Sequence, residues 1–202
     1  MAEKFQNKYR TRSAHCPNWD YSSNAAYFIT ICIQNRENYF GEIINRKMQL
    51  SQIGVIADIL WHEIKNHAKN VDLDAFVVMP NHIHGILILN GENNNNIKKT
   101  NNYSVETLHA TSLRNNTTSP DNTTPQQNET MSKISPKPGS ISTIVRSYKS
   151  AVTKHANRLG YTFAWQSRFH DHIIRNHRSF QQIREYIINN PAQWNKDKLF
   201  NN

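Results

Sequence analysis

Val77-Val78-Met79-Pro80-Asn81-His82-Ile83-His84-Gly85-Ile86-Leu87-Ile88-Leu89 is an apolar run into which two histidines are set one residue apart. Read as a strand from Asn81 to Leu89, its period of two puts His82, His84, Ile86 and Ile88 on one face and Ile83, Gly85, Leu87 and Leu89 on the other. The imidazoles then share a face. Neutral imidazole is a common metal ligand, and same-face neighbours bring both rings within reach of one ion, so the spacing predicts a metal-holding strand. Pro80 cannot donate to a sheet ladder and belongs at the strand's start or at a break. Leu73 to Met79, before it, reads as the preceding strand.

Outward from this pair, Ala25 to Gln34 is rich in β-branched and aromatic residues and reads as a central strand. Tyr39 to Ile44 suggests a short hairpin arm. Ile53, Ile56, Ala57, Leu60 and Ile64 fall at helical spacing behind Ser51, which is placed to cap them. Beyond Gly139-Ser140, Ile141, Ile144, Val145, Tyr148 and Val152 supply an apolar helix face, and Arg146, Lys149, Thr153 and Lys154 a polar one. Arg168 to Arg175 reads as a fourth strand. Ser179-Phe180-Gln181-Gln182 has the pattern of a capping box opening a last helix, which Asn189-Asn190-Pro191 would end.

The order strand, helix, strand, strand, helix, strand, helix predicts an α+β fold: a ferredoxin-like βαββαβ antiparallel sheet with helices packed on one face, plus a C-terminal helix. The domain is expected to occupy 25–90 and 139–195, after a basic N-terminal arm at 1–24. Residues 91–138, opening Gly91-Glu92-Asn93-Asn94-Asn95-Asn96, carry too few apolar groups to bury and are expected to form a disordered Asn/Thr-rich insertion without chemistry of its own.

Charge narrows the choice of partner. The 202-residue chain has a formal net charge of +9, which suits a polyanion and carries no information about fold. Lys133, Lys137, Arg146, Lys149, Lys154, Arg158, Arg168, Arg175 and Arg178 face the single acid Asp171 across that stretch. No apolar run approaches the ~20 residues of a membrane span and the N-terminus lacks a signal-peptide core, so an intracellular, soluble protein is expected. Cys16 and Cys32 form no CxxC pair and suggest neither a disulfide framework nor a zinc knuckle.

In the last helix, at 100° per residue, Phe180, Ile183 and Ile187 form the buried stripe, with Tyr186 on its flank and Asn190 about 40° from Tyr186. Alone, this is accounted for by an amphipathic tyrosine with its hydroxyl in water and an asparagine ending a helix. Beside the histidine strand it reads differently. A tyrosine can be a covalent nucleophile, and attack on a phosphodiester needs its charge neutralised and its phosphorus polarised, which a divalent ion on His82 and His84 would supply. A hard ion such as Mg²⁺ or Mn²⁺ wants oxygen ligands as well, and the Asn190 side chain could be one.

His82-Ile83-His84 matches the His-hydrophobic-His (HUH) signature of the single-tyrosine transposases of insertion-sequence type. Tyr186, with an amide four residues on, matches their nucleophile helix. The chain resembles above all the REP-associated tyrosine transposases and related transposase-like proteins. The resemblance runs through Asp20-Tyr21-Ser22, Tyr27 to Cys32, Val77 to Gly85, Tyr148 to Thr153, Trp165-Gln166, His172 to Arg175 and Arg184 to Pro191. It implies a ferredoxin-like catalytic domain that binds single-stranded or hairpin DNA and cleaves it with Mg²⁺ or Mn²⁺. The tyrosine leaves a 5′-phosphotyrosine and a free 3′-hydroxyl, and the reverse attack rejoins strands.

On that resemblance Tyr186 is the nucleophile, His82 and His84 are metal ligands and Asn190 is a candidate third ligand, where insertion-sequence relatives often carry Gln. Lys149, Arg146, His172 and Arg175 are expected DNA contacts. His170-Asp171-His172, a second HxH, departs from the signature in its charged middle residue. The expected location is the bacterial cytoplasm, in association with the nucleoid, with a monomer and a homodimer both open. The alternative is a catalytically inactive or domesticated relative that only binds structured DNA; a third reading, a phosphodiesterase using activated water, gives Tyr186 no role.

Overall fold

The computed structural model describes residues 4–5, 8–9, 16, 19–91, 136–197 and 199–200. Most of the expected N-terminal arm, and residues 92–135 of the expected insertion, lie outside the described residues. Strands β1 (Lys4–Phe5) and β2 (Lys8–Tyr9) pair antiparallel. The main sheet is built from β3 (Ala25–Cys32), β6 (Val71–Met79), β7 (His82–Leu89) and β8 (His170–Ile174). Its order is β6-β7-β3-β8, with every neighbouring pair antiparallel. In order along the chain, its second, third, first and fourth strands lie side by side, which is the ferredoxin-like arrangement expected from the element pattern.

The expected hairpin arm is β4 (Gly41–Ile44) paired with β5 (Lys47–Leu50). Helix α1 (Gln52–His62) follows, capped by the Ser51 side chain, which accepts from Gly54 N–H; the short α2 (Ile64–His67) then leads into β6. Helix α3 (Ile141–Arg158) connects β7 to β8 and is capped by Ser140. Helix α4 (His177–Asn189) opens differently from the sequence expectation: its cap is Asn176, whose side chain accepts from Ser179 N–H, so Ser179 lies inside the first turn. Asn is as good an N-cap as Ser, and the β8 exit places it first. A 3₁₀ segment (Pro191–Lys196) follows.

Strand alternation divides the core into two layers. Tyr27, Ile29, Ile31, Ile83, Leu87 and Ile173 pack with α1 and α3, whereas Ile86, Ile174, Phe28 and Val77 pack with Ile187, Phe180 and Ile183 of α4. Two helices therefore cover one face and α4 lies on the other, the face that carries His82 and His84. Strand β6 serves both layers because a register shift between Leu73 and Phe76 swaps its alternation: Leu73, Phe76 and Val78 all reach the α1/α3 layer. Arg184 of α4 pairs with Asp74 inside that irregularity at 3.1 Å.

The histidine strand is held by what lies behind it. Trp61 of α1 is 1% exposed and stacks on Phe76 with ring centroids 4.6 Å apart. A Cβ on Gly85 would stand 2.2 Å from Trp61 Cζ2, so only glycine lets the indole lie on β7 between the two histidine-bearing and isoleucine-bearing halves of the strand. No described helix is long and apolar enough to cross a membrane. Overpacking of this kind costs ~1–3 kcal/mol. Gly85→Ala is therefore expected to lower the unfolding free energy measured in urea by that amount. Trp61→Leu should cost less in the Gly85→Ala background than in the parent, and equal costs in both would contradict the close approach.

Candidate active site

His82 and His84 are 0% and 3% exposed, on a sheet face that sequence alternation alone assigns them. Their Nε2 atoms lie 3.0 Å apart. Each ring is held from behind through Nδ1: His82 by the Asn81 side-chain oxygen at 2.8 Å and His84 by the Thr30 hydroxyl at 2.9 Å. Thr30 is the direct cross-strand partner of His84 on β3.

Helix α4 brings Tyr186 over this pair. Its hydroxyl stands 3.3 Å from His84 Nε2 and donates to Asp197 Oδ2 at 3.0 Å. The Tyr186 ring meets Phe28 edge-on at a centroid distance of 6.1 Å, yet the residue is 45% exposed. Asn190, in contrast, is buried, and its Nδ2 donates to the same Asp197 oxygen at 2.8 Å. That bond fixes the amide's orientation, because a carboxylate only accepts. The Asn190 Oδ1 atom is thereby left buried with no hydrogen-bond partner among the described residues.

Asp197 is the residue that the sequence does not single out. It lies past the Pro191 break and beyond the expected domain end at 195. Its carboxylate accepts from Tyr186, Asn190 and Leu199 N–H, the last at 2.7 Å. Only its status as one of two acids after Arg175, with Glu185, marks it in the sequence. Potential ligand atoms of His82, His84 and Asp197 all lie within 4.8 Å of one another.

Burial governs the charges here. It pushes the His82 imidazole down to about 4, with Asp197 opposing the shift and Arg36 adding to it. His84 is held well below the ordinary histidine range by burial and by His82. Both rings are thus neutral, the form that ligates metal. Desolvation, then the Asp197 charge, pushes the Tyr186 phenol up to about 12. Burial opposes ionisation of Asp197, but the bonds from Asn190 and Leu199 N–H outweigh it and hold the carboxyl below its ordinary value.

The donor set fits a divalent ion. Two ring nitrogens sharing one ion at about 2.0–2.1 Å stand roughly 2.9–3.4 Å apart, a range that includes the observed separation. Asp197 and the orphaned Asn190 oxygen would add the oxygen donors that Mg²⁺ or Mn²⁺ prefers.

The expected DNA contacts are dispersed. His172 and Arg175 line one open cavity of about 500 Å³ with Cys16, Asp171 and Ser179, at the start of α4. Register places His170 opposite Thr30 and His172 opposite Phe28, so both lie on the His82/His84 face. Arg146 is exposed on α3, in the other layer. Lys149 is partly buried and donates to the Gln166 carbonyl at 2.7 Å.

No family model matches the chain. A Haemophilus influenzae protein described as uncharacterized is 36% identical over 190 residues, spanning 94% of this chain and 92% of the other. A solved structure described as a REP associated tyrosine transposase bound to a REP hairpin aligns over 87% of this chain and 71% of its own, at 19% identity and a TM-score of 0.49.

The neutral histidines set a pH dependence for the metal-free protein. With folded values below the ordinary 6.5, the unfolded chain binds protons first as pH falls. Stability is then complete above about 6.5 and declines toward about 4, by on the order of 1–3 kcal/mol. Urea unfolding in chelator at pH 7.5 and pH 5 should show the loss, and replacing both histidines by Gln should flatten it.

Proposed function

The chain belongs to the same family as the Haemophilus influenzae protein, and we propose that it is a transposase-like enzyme that cleaves and rejoins DNA strands through Tyr186. The observation that carries this reading is the Tyr186 hydroxyl poised 3.3 Å from a buried pair of converging imidazoles. The same hydroxyl donates to Asp197, the third member of the candidate ligand cluster. His82, His84 and Asp197 would hold Mg²⁺ or Mn²⁺, with Asn190 supplying a further oxygen. A divalent ion held there would neutralise and polarise the scissile phosphate.

The protein's own groups account for the proton. Tyr186 Oη bonds to phosphorus as the bond from phosphorus to the 3′-oxygen breaks. The phenolic proton passes to Asp197 Oδ2, already its hydrogen-bond acceptor at 3.0 Å, and from there to the departing 3′-oxygen. A 5′-phosphotyrosine and a free 3′-hydroxyl result, and attack by another 3′-hydroxyl reverses the step. Exposure supports a long substrate: α4 covers the β6–β7 half of the sheet face, whereas His170 and His172 on β8 remain exposed next to Tyr186's side of it. Single-stranded or hairpin DNA laid along that open half would present a phosphate to Tyr186 and meet Arg175 at the start of α4.

A binding-only role draws on one observation, the phenol's high value of about 12, which keeps it protonated while Asp197 is its partner. The two readings separate on incubation with a hairpin-bearing single-stranded oligonucleotide and Mn²⁺. A covalent protein–DNA adduct is expected in denaturing gels and should vanish in Tyr186→Phe and in chelator. An adduct that survives Tyr186→Phe would sink the assignment, and binding without any adduct would favour the second reading.

The surface reading has its own check. Arg175→Ala is expected to weaken hairpin binding several-fold and to reduce the slope of log affinity against log salt by about 1, as for one lost phosphate contact. Arg146→Ala, in the other layer, should leave both nearly unchanged. The reverse ranking would move the DNA to the α1/α3 side.

A further inference from the structure

Asn81 is 0% exposed, and all of its side-chain hydrogen-bonding groups are engaged. Its Nδ2 lies 3.2 Å from the Arg36 carbonyl and 2.9 Å from the Leu199 carbonyl, and its Oδ1 lies 2.8 Å from His82 Nδ1. Carbonyl oxygens only accept, so the amide nitrogen must face Arg36 and Leu199. That leaves the amide oxygen for His82, and an oxygen acceptor requires a proton on the facing ring nitrogen. His82 therefore carries its proton on Nδ1, with the Nε2 lone pair turned toward His84 and Asp197.

No comparable constraint acts on His84. Its Nδ1 partner is the Thr30 hydroxyl, which donates or accepts by rotating, so Thr30 tolerates the His84 proton on either nitrogen. In the metal-free protein an Nε2–H on His84 can donate across the 3.0 Å gap to His82; a metal would require that proton to move to Nδ1, where Thr30 accepts it. The two histidines of one motif thus play unequal parts. One has its lone pair set in advance, and the other adapts.

We propose that Asn81 is a positioning residue that locks His82 as the Nδ1–H tautomer with Nε2 aimed into the cluster, and anchors that ring to the backbone on both sides of the site. The anchors are distant in sequence. Arg36 follows β3 in a left-handed turn (φ 57°), with Asn35 beside it (φ 60°), and Leu199 N–H holds Asp197. One carboxamide thereby connects a ligand imidazole, the turn after its neighbouring strand and the segment that brings in Asp197. The inference deepens the active-site reading and rests on it for the purpose of the pair, but its test needs neither DNA nor turnover.

The tautomers are read by long-range ¹H–¹⁵N NMR of the metal-free full-length protein at pH 7.5, and metal affinity by calorimetry with Mn²⁺ alone. The wild type is expected to show His82 as Nδ1–H. Asn81→Ala should convert His82 to a tautomer mixture and weaken Mn²⁺ binding about 10–100-fold, the usual cost of losing the partner that orients a ligand. Thr30→Val, a second buried polar deletion on the same face, should leave the His82 tautomer as it is. His82 found as Nε2–H in the wild type overturns the proposal, and does so even if Asn81→Ala fails to fold. So does a folded Asn81→Ala protein with unchanged tautomer and unchanged Mn²⁺ affinity. A wild type that shows the expected His82 spectrum but neither cleaves DNA nor forms an adduct would count against the strand-transfer reading instead.

Discussion

Two imidazole nitrogens held 3.0 Å apart in a buried sheet face are the constraint on which the rest of the structure depends. Charged histidines could not sit there: two like charges at that distance, out of water, would each be strongly disfavoured. Neutral rings can, provided that each ring's other nitrogen has a partner, because a buried unpaired polar group costs about 1–3 kcal/mol. Asn81 and Thr30 meet that requirement. The site is therefore stable as a neutral polar island, and an ion entering it would find both rings uncharged.

The layers around the pair follow from the same demand. One side of β7 must be closed so firmly that the strand does not shift, and Trp61 lying against Gly85 does this. The other side is dry around the nitrogens yet open elsewhere, because helix α4 covers only part of the face. Ile187 is fully buried, and burying a side chain of that size stabilises by ~1.5–3 kcal/mol. One position earlier, Tyr186 sits at the border, 45% exposed, with its hydroxyl 3.3 Å from His84 Nε2.

What the sequence reveals is set by which physical signals are local. The strand period assigns His82 and His84 to one face, and the helix period places Tyr186 and Asn190 at the edge of the buried stripe; the structure has both. Element order alone leads to the observed strand order. Periodicity does not say which layer a helix joins, so Arg146 and Lys149, on a helix with an evident basic side, belong to the layer away from the histidines. The swap in β6 is invisible for a related reason, since Leu73, Phe76 and Val78 break simple alternation and only the pairing with β7 explains them. Asp197 and Asn81 are the least legible. Asn81 bonds to Leu199, 118 residues on, and Asp197, though bonded within its own terminal segment, meets His82 and His84 only because the chain folds back over β7; no local pattern encodes either contact.

The polar groups of the cluster sit where elements end rather than inside them. His82 opens β7, Asn190 caps α4 and Asp197 follows the last 3₁₀ turn. Element ends leave backbone groups unpaired, and here those groups orient the side chains: Arg36 and Leu199 carbonyls set the Asn81 amide, and Leu199 N–H sets the Asp197 carboxylate. A carboxylate oriented in this way can accept the Tyr186 proton without first shedding water, whereas a free surface carboxylate would have to. Burial, and then the Asp197 charge, raise the phenol's affinity for its proton, so Tyr186 stays protonated beside its acceptor.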